Sequence, residues 1–208
     1  MSIDYTLLLK LEGPMQSWGY RSRFDYRDTA LEPTRSGVIG LICAAMGIAR
    51  GEDITRFDAV RMGVRVDKEG RPERDYHTAL DVIKADGSGT DAVQSWRDYL
   101  ADASFTVGLQ SGNHQLLKDI EEALQKPVWP LFLGRKAFAL SVPPLAPSGA
   151  LVEGNLEDHL LSGGAGARVI LESNDGERTQ NDWPLCFGDR RFRPRTISTR
   201  FGRKGASG

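Results

Sequence analysis

The chain has 208 residues, 40% of them hydrophobic and 26% charged, which is enough apolar material for one sizeable core and too much for a disordered chain. A formal net charge of -1 argues against a freestanding, non-specific nucleic-acid binder, which carries a clear basic excess. The two cysteines make neither a disulfide framework nor a zinc spacing, no apolar run approaches the roughly 18–20 residues that span a bilayer, and the N-terminus lacks a basic segment ahead of a long apolar stretch, so a cytoplasmic location without membrane contact is expected.

Residues 5–11, YTLLLKL, read as a buried strand. It leaves through Gly13-Pro14, a break that belongs at a surface, yet Met15, Gln16, Ser17 and Trp18 follow at once. Such a group either folds back over the sheet edge as core or presents its faces to a ligand. In YRSRFDYRDT, residues 20–29, the acids dilute the arginines, and Arg27 alone is assigned to a basic surface. In EPTRSGVIGLICAAMG, residues 32–47, Thr34 or Ser36 can cap a helix whose apolar positions recur at helical spacing, and Gly47 closes it. Gly37 and Gly40 suit the close approach of a strand or of a phosphate.

Residues 60–67, VRMGVRVD, alternate with period two and predict a second strand. The charged stretch 68–98 that follows reads as a projecting hairpin or loop. SFTVGL, 104–109, is a third strand, and Asn113 caps a helix with Leu116, Leu117, Ile120 and Leu124 on one face, stopped by Pro127. PLFLGRKAFAL, 130–140, is predicted as a turn and a fourth strand, and beyond the proline-rich 141–149 there are strand candidates at 168–172 and 183–187. From residue 190 onward the chain holds seven basic residues and no acid, so residues 1–189 carry -8; the basic tail is a solvated terminus or a surface for a protein or nucleic acid. The order strand, helix, strand, insertion, strand, helix, strand predicts an α+β, ferredoxin-like (RRM-type) domain over 1–149 that carries the charged insertion, and a smaller β-containing region over 150–208.

GPMQSWG, EPTRSGVIGLICAAMG, RDYHT, WRDYLADASFTVGL and LGRK, in that order and spacing, resemble CasD, the subtype I-E branch of the fifth Cas family in the RAMP superfamily, from the first strand to about Leu145. The resemblance implies a modified RRM-like fold with a projecting thumb inserted at about 74–100, in a non-catalytic subunit of the type I-E CRISPR Cascade surveillance complex. Such a subunit would bind and cap the repeat-derived 5′ handle of crRNA and contact the CasC backbone and CasA large subunits. It would meet target DNA only through that complex, a ribonucleoprotein of antiviral defence. In some other subtypes the equivalent protein is an endoribonuclease, so metal-independent cleavage of CRISPR repeat RNA is the alternative.

On this reading Met15 and Trp18 offer surfaces for stacked bases, Gln16 a donor and acceptor for a base edge, and Ser17 a small polar contact. Thr34, Arg35, Ser36 and Gly37 open a helix, where backbone N–H groups, hydroxyls and a cation suit a phosphate, ordinary capping being the other use. Arg97 carries a planar guanidinium that can clamp a displaced base, Tyr76 and His77 stand at the base of the thumb, and Trp96 and Tyr99 form a small core beneath it. Arg27 and the tripeptide Gly134-Arg135-Lys136 reach phosphates, whereas Glu12 is out of place beside one and requires a basic or protein partner. His77 is the acid-base candidate for the alternative. No set of His, Cys and carboxylates has metal-ligand spacing and no Gly-rich phosphate loop precedes a lysine, so no metal or other cofactor is expected.

Overall fold

Strand β1 (Tyr5–Glu12) places Leu7, Leu9 and Leu11 on one fully buried face, as period-two alternation requires. The computed structural model describes residues 4–19, 25–145 and 150–202; Tyr20, Arg21, Arg23, Phe24, Arg203 and Lys204 of the stretches read above lie outside the described residues. Two short strands, β2 (Met15–Gln16) and β3 (Tyr26–Arg27), precede helix α1 (Arg35–Met46). The Thr34 hydroxyl caps α1 by accepting from the Gly37 N–H at 3.2 Å, and Gly47 ends it in the left-handed conformation at φ 73°. Then come β4 (Arg61–Lys68), the hairpin strands β5 (Arg71–Ile83) and β6 (Thr90–Ala101), and β7 (Ser104–Ser111). Helix α2 (His114–Gln125) is capped by the Asn113 side chain and buries Leu116, Leu117, Ile120 and Leu124, the face its spacing predicts. The remaining elements are β8 (Leu151–Glu153), α3 (Leu156–Ser162), β9 (Arg168–Glu172), β10 (Arg178–Cys186) and β11 (Arg191–Phe201).

Seven strands form one antiparallel sheet in the order β10-β11-β9-β4-β7-β1-β8. Within it β8-β1-β7-β4 is the strand order of a ferredoxin-like split βαβ unit, so the fold is α+β as the order of elements predicts. α1 and α2 pack Val38, Ile39, Ile42, Leu117 and Ile120 against Leu7, Leu9, Met62, Val64, Phe105 and Val107 in the main core. α3 covers the opposite face with Leu156, Leu160 and Leu161 against Leu8, Val169 and Leu171. Every residue of β7 is therefore buried, because that central strand is covered on both sides.

Two expectations are corrected. Residues 130–140 form no strand: the segment turns at Gly134 and wraps the exit of β1, where the Leu133 carbonyl accepts from the Ser17 N–H at 3.0 Å and the Glu12 carbonyl from the Ser141 N–H at 2.8 Å. The fourth strand of the unit is β8, which pairs Leu151, Val152 and Glu153 with Leu7, Thr6 and Tyr5. The basic terminus is not a solvated tail over its described part. It is β11, inserted between β10 and β9, with Arg195 and Ile197 buried. The inserted hairpin of β5 and β6 projects as expected, with Leu80 and Ile83 near its tip 73% and 76% exposed.

Candidate nucleic-acid interface

The opening motif turns inward. β2 pairs Met15 and Gln16 with Ala101 and Leu100 at the foot of the hairpin, and the Gln16 amide donates to the Ala103 carbonyl at 2.8 Å while its oxygen accepts from the Trp18 indole N–H at 3.2 Å. Trp18 is 1% exposed and lies over the first turn of α1, where a Cβ on Gly37 would come within 2.7 Å of its ring. Ser17 is buried, its hydroxyl donating to the Asp98 carbonyl at 3.3 Å, and Met15 packs half-buried on the main core. The surface for stacked bases expected of Met15, Gln16, Ser17 and Trp18 is thus corrected to a closed corner, because each polar group already has an internal partner. Glu12 also has its partners, accepting from the Ser104 hydroxyl at 2.7 Å and lying 3.5 Å from the Lys10 ammonium.

The helix opening is likewise filled from within. Thr34 is buried under its own cap, and the Arg35 N–H donates to Asp182 Oδ2 at 2.7 Å, so a carboxylate of the chain occupies the place expected for a phosphate. The Arg35 side chain, 1% exposed, donates to Glu172 at 2.8 Å and to the Phe57 carbonyl at 2.8 Å and lies 3.6 Å from the Trp183 ring. Burial pulls its pKa below the ordinary arginine value, opposed by the Glu172 charge. The expectation that Thr34 and Arg35 help hold a phosphate is corrected: Thr34 serves as the cap, and an arginine with two carboxylates in reach buries with them rather than waiting for RNA.

Ser36 and Gly37 remain half-buried on the outer side of that turn, and the fold brings them to Gly134 and Lys136. Together they line a cleft of about 950 Å³ between α1, the 129–136 loop and the tip of the β10–β11 hairpin. Arg50, Lys136 and Arg190 give it positive charge, and Trp129, Phe132, Phe187 and Phe192 give it apolar and aromatic walls. Gly134 has φ 91°, and a Cβ there would overlap the Ser17 carbonyl, so only glycine lets the loop cross so close to the opening motif. The reading of the sequence missed Arg50, Trp129, Phe187 and Phe192, and placed Arg190 only at the start of a basic tail. The pattern FGDRRF, aromatics on either side of a turn at 187–192, was the signal available, yet nothing local ties it to α1.

Arg135 points away from the cleft to the foot of the hairpin. Its guanidinium donates to the Asp98 carbonyl at 2.8 Å, and its pKa is lowered first by burial and then by the charges of Arg97 and Arg27. Arg27 of β3 stands opposite Arg97 of β6, which stands opposite Asp75 of β5, so the three arginines meet on one face of the small sheet. Arg97 Nε donates to the Ser95 hydroxyl at 2.9 Å, and His77, half-buried, lies on that same face opposite Ser95. Tyr26, Tyr76 and Trp96 share the other face, 42%, 53% and 41% exposed, and Tyr76 and Trp96 pack at 5.7 Å between ring centroids. Trp96 is therefore exposed where a core position was expected, while Tyr99 does pack inside, on Phe138. Arg74 holds Asp98 through a 2.7 Å hydrogen bond that keeps the carboxyl below its ordinary value. Among the described residues no three His, Cys, Asp or Glu side chains are placed to hold a metal ion, and no helix is long and apolar enough to cross a membrane.

A family model described as CRISPR-associated protein (Cas_Cas5) matches residues 6–202. The chain belongs to the Cas_Cas5 family. Among its relatives, the CRISPR system Cascade subunit CasD of Escherichia coli (strain K12) is 38% identical over 154 residues, which cover 66% of this chain and 68% of that protein. Among solved structures, a chain of a CRISPR RNA-guided surveillance complex superposes with a TM-score of 0.84 at 31% identity, covering 96% of this chain and 90% of the other. A crystal structure of a Cas protein superposes with a TM-score of 0.76 at 41% identity, covering 96% and 95%. The family match includes the β10–β11 hairpin, whose turn and β11 supply Phe187, Arg190 and Phe192 to the cleft, beyond the motifs that carried the resemblance in sequence.

Proposed function

We propose that this Cas_Cas5 family member is a non-catalytic subunit of a type I-E Cascade complex that binds and caps the repeat-derived 5′ handle of crRNA. The observation that carries the reading is that the tripeptide 134–136 contributes to both basic sites. Gly134 and Lys136 line the cleft, while Arg135, between them, joins Arg97 and Arg27 at the foot of the hairpin. A single strand of RNA needs such a track: cations spaced along its phosphates and apolar or aromatic surfaces beside its bases. Ser36, Gly37, Lys136, Arg50 and Arg190 serve one part of it and Arg27, Arg97 and Arg135 the other, with Tyr76 and Trp96 on the reverse face of the hairpin. The acidic remainder of the chain makes the isolated subunit a weak binder at physiological salt. CasC and CasA subunits would complete the basic channel, and target DNA would be met through the assembled complex.

The test is a fluorescence titration of the 5′ handle of the cognate repeat with the full chain, repeated over a range of salt concentrations. Arg97→Ala and Arg135→Ala are each expected to weaken binding and to reduce the slope of log K against log salt by about 0.7, the value for one phosphate contact to a single strand. Unchanged slopes in both variants would remove these arginines from the RNA path. The same labelled repeat RNA, incubated without metal and run on a denaturing gel, is expected to stay intact. Discrete cleavage lost in His77→Ala would replace the binding role with a processing one.

A further inference from the structure

We infer that Asp182 is a positioning residue for the RNA cleft: through Arg35 and Arg195 it fixes the start of α1 relative to the β10–β11 hairpin without touching RNA. The inference rests on the RNA-binding reading above. Asp182 is 1% exposed. Its Oδ2 accepts from the Arg35 N–H at 2.7 Å and from Arg195 Nη2 at 2.9 Å, and its Oδ1 from Arg195 Nε at 2.6 Å. Glu172 closes the ring, with Oε1 taking Arg35 Nη1 at 2.8 Å and Arg195 Nη1 at 3.1 Å and Oε2 the Met62 N–H at 3.0 Å. Two cations and two anions balance, and every member sits on a different element or strand: α1, β9, β10 and β11.

The consequence for the cleft follows from sequence distance. Ser36 and Gly37, part of one wall, directly follow Arg35, and Phe187, part of the facing wall, follows Asp182 by five residues along β10 and its turn. Gly40 of α1 already lies 3.7 Å, measured from an added Cβ, from the Phe187 ring, so the two walls are in near contact and a small rotation of the hairpin changes the width between them. A buried, charge-balanced cluster behind a binding surface is what holds such walls to a fraction of an ångström. The carboxylate also takes the position at the helix start that a phosphate could have used, which leaves the Ser36 hydroxyl and Lys136 as the polar groups facing the cleft there.

Electrostatics and positioning give opposite signs in one experiment. Removing a negative charge near bound RNA strengthens binding by Coulomb's law, whereas loosening the cleft weakens it. In the full chain Asp182→Asn is expected to weaken binding of the repeat-derived handle about tenfold, the lower end of what loss of a supporting residue behind a ligand causes elsewhere. The salt slope is expected to stay unchanged, because no phosphate contact is lost. Lys136→Ala, the control, is expected to lower the slope by about 0.7. Asp182→Glu keeps the charge and misplaces it by one methylene. It is expected to weaken binding less than Asp182→Asn, again at constant slope, and it carries the test if the amide does not fold. Binding by the Asp182 variants equal to or tighter than wild type, or with a reduced slope, overturns the inference while leaving the RNA reading intact. Failure of the wild-type chain to prefer the handle over a scrambled RNA of equal length overturns both.

Discussion

Trp18 shows how the first turn of α1 and the opening motif hold each other. The ring lies where a side chain on Gly37 would collide, its N–H is taken by Gln16, and Gln16 in turn satisfies the Ala103 carbonyl. Truncating such a ring removes its packing and leaves a cavity next to an amide that has lost a partner. Trp18→Ala is therefore expected to lower the unfolding free energy by about 3–5 kcal/mol. A urea titration followed by far-UV circular dichroism measures it, and a variant as stable as wild type would return the ring to the RNA surface. Residue type alone could not reveal this outcome. Trp, Gln and Arg carry the same groups whether they face a base or a buried carboxylate, and the partners that decide, Ala103 for Gln16 and Asp182 for Arg35, lie 87 and 147 positions away.

The hairpin of β5 and β6 divides into a foot and a tip with different tasks. At the foot β6 pairs with β2 and β3 as well as β5, and Arg97 meets Arg27 and Arg135. Near the tip Leu80, Val82, Ile83 and Val93 are exposed, so their apolar surface adds little to folding. Replacing residues 79–93 with a tight Asn-Gly turn is expected to leave the thermal midpoint of the chain unchanged and the arginine triad in place. A lower midpoint, read by calorimetry, would mean that the tip braces the sheet. The hairpin, the caps Thr34, Gly47 and Asn113, and the strand candidates near 60–67 and 104–109 were legible because each is specified by neighbours in sequence. The fourth strand was not. The apolar residues of 130–140 mimic a strand, yet Leu133 and Phe138 go to packing a turn under the opening motif, while β8 has three residues, too few for any period to show.

The C-terminal third completes both the sheet and the cleft, and its charges explain why. Glu32, just ahead of α1, is buried and held by Arg168 of β9 at 3.0 Å and by Arg178 of β10, and Arg35 is held by Glu172 and Asp182. Arginines that looked in sequence like a tail for nucleic acid are therefore divided: Arg195 is internal, while Arg190 faces the cleft. Composition gave their number but not this division, which depends on which strand edge β11 enters. Ending the chain after Asp189 removes β11 from between β10 and β9 and leaves the buried Asp182 carboxylate without Arg195. Losing one partner of a buried pair alone destabilises by about 3–5 kcal/mol, against a total stability of about 5–15 kcal/mol for a typical domain. Two strand pairings and the burial of Ile197 disappear with it. The truncated chain is expected to lose its cooperative melting transition and to elute early or aggregate on gel filtration. A truncated chain that melts like the full one, and differs only in RNA affinity, would show instead that the sheet from β9 to β8 folds alone and that β11 serves the RNA.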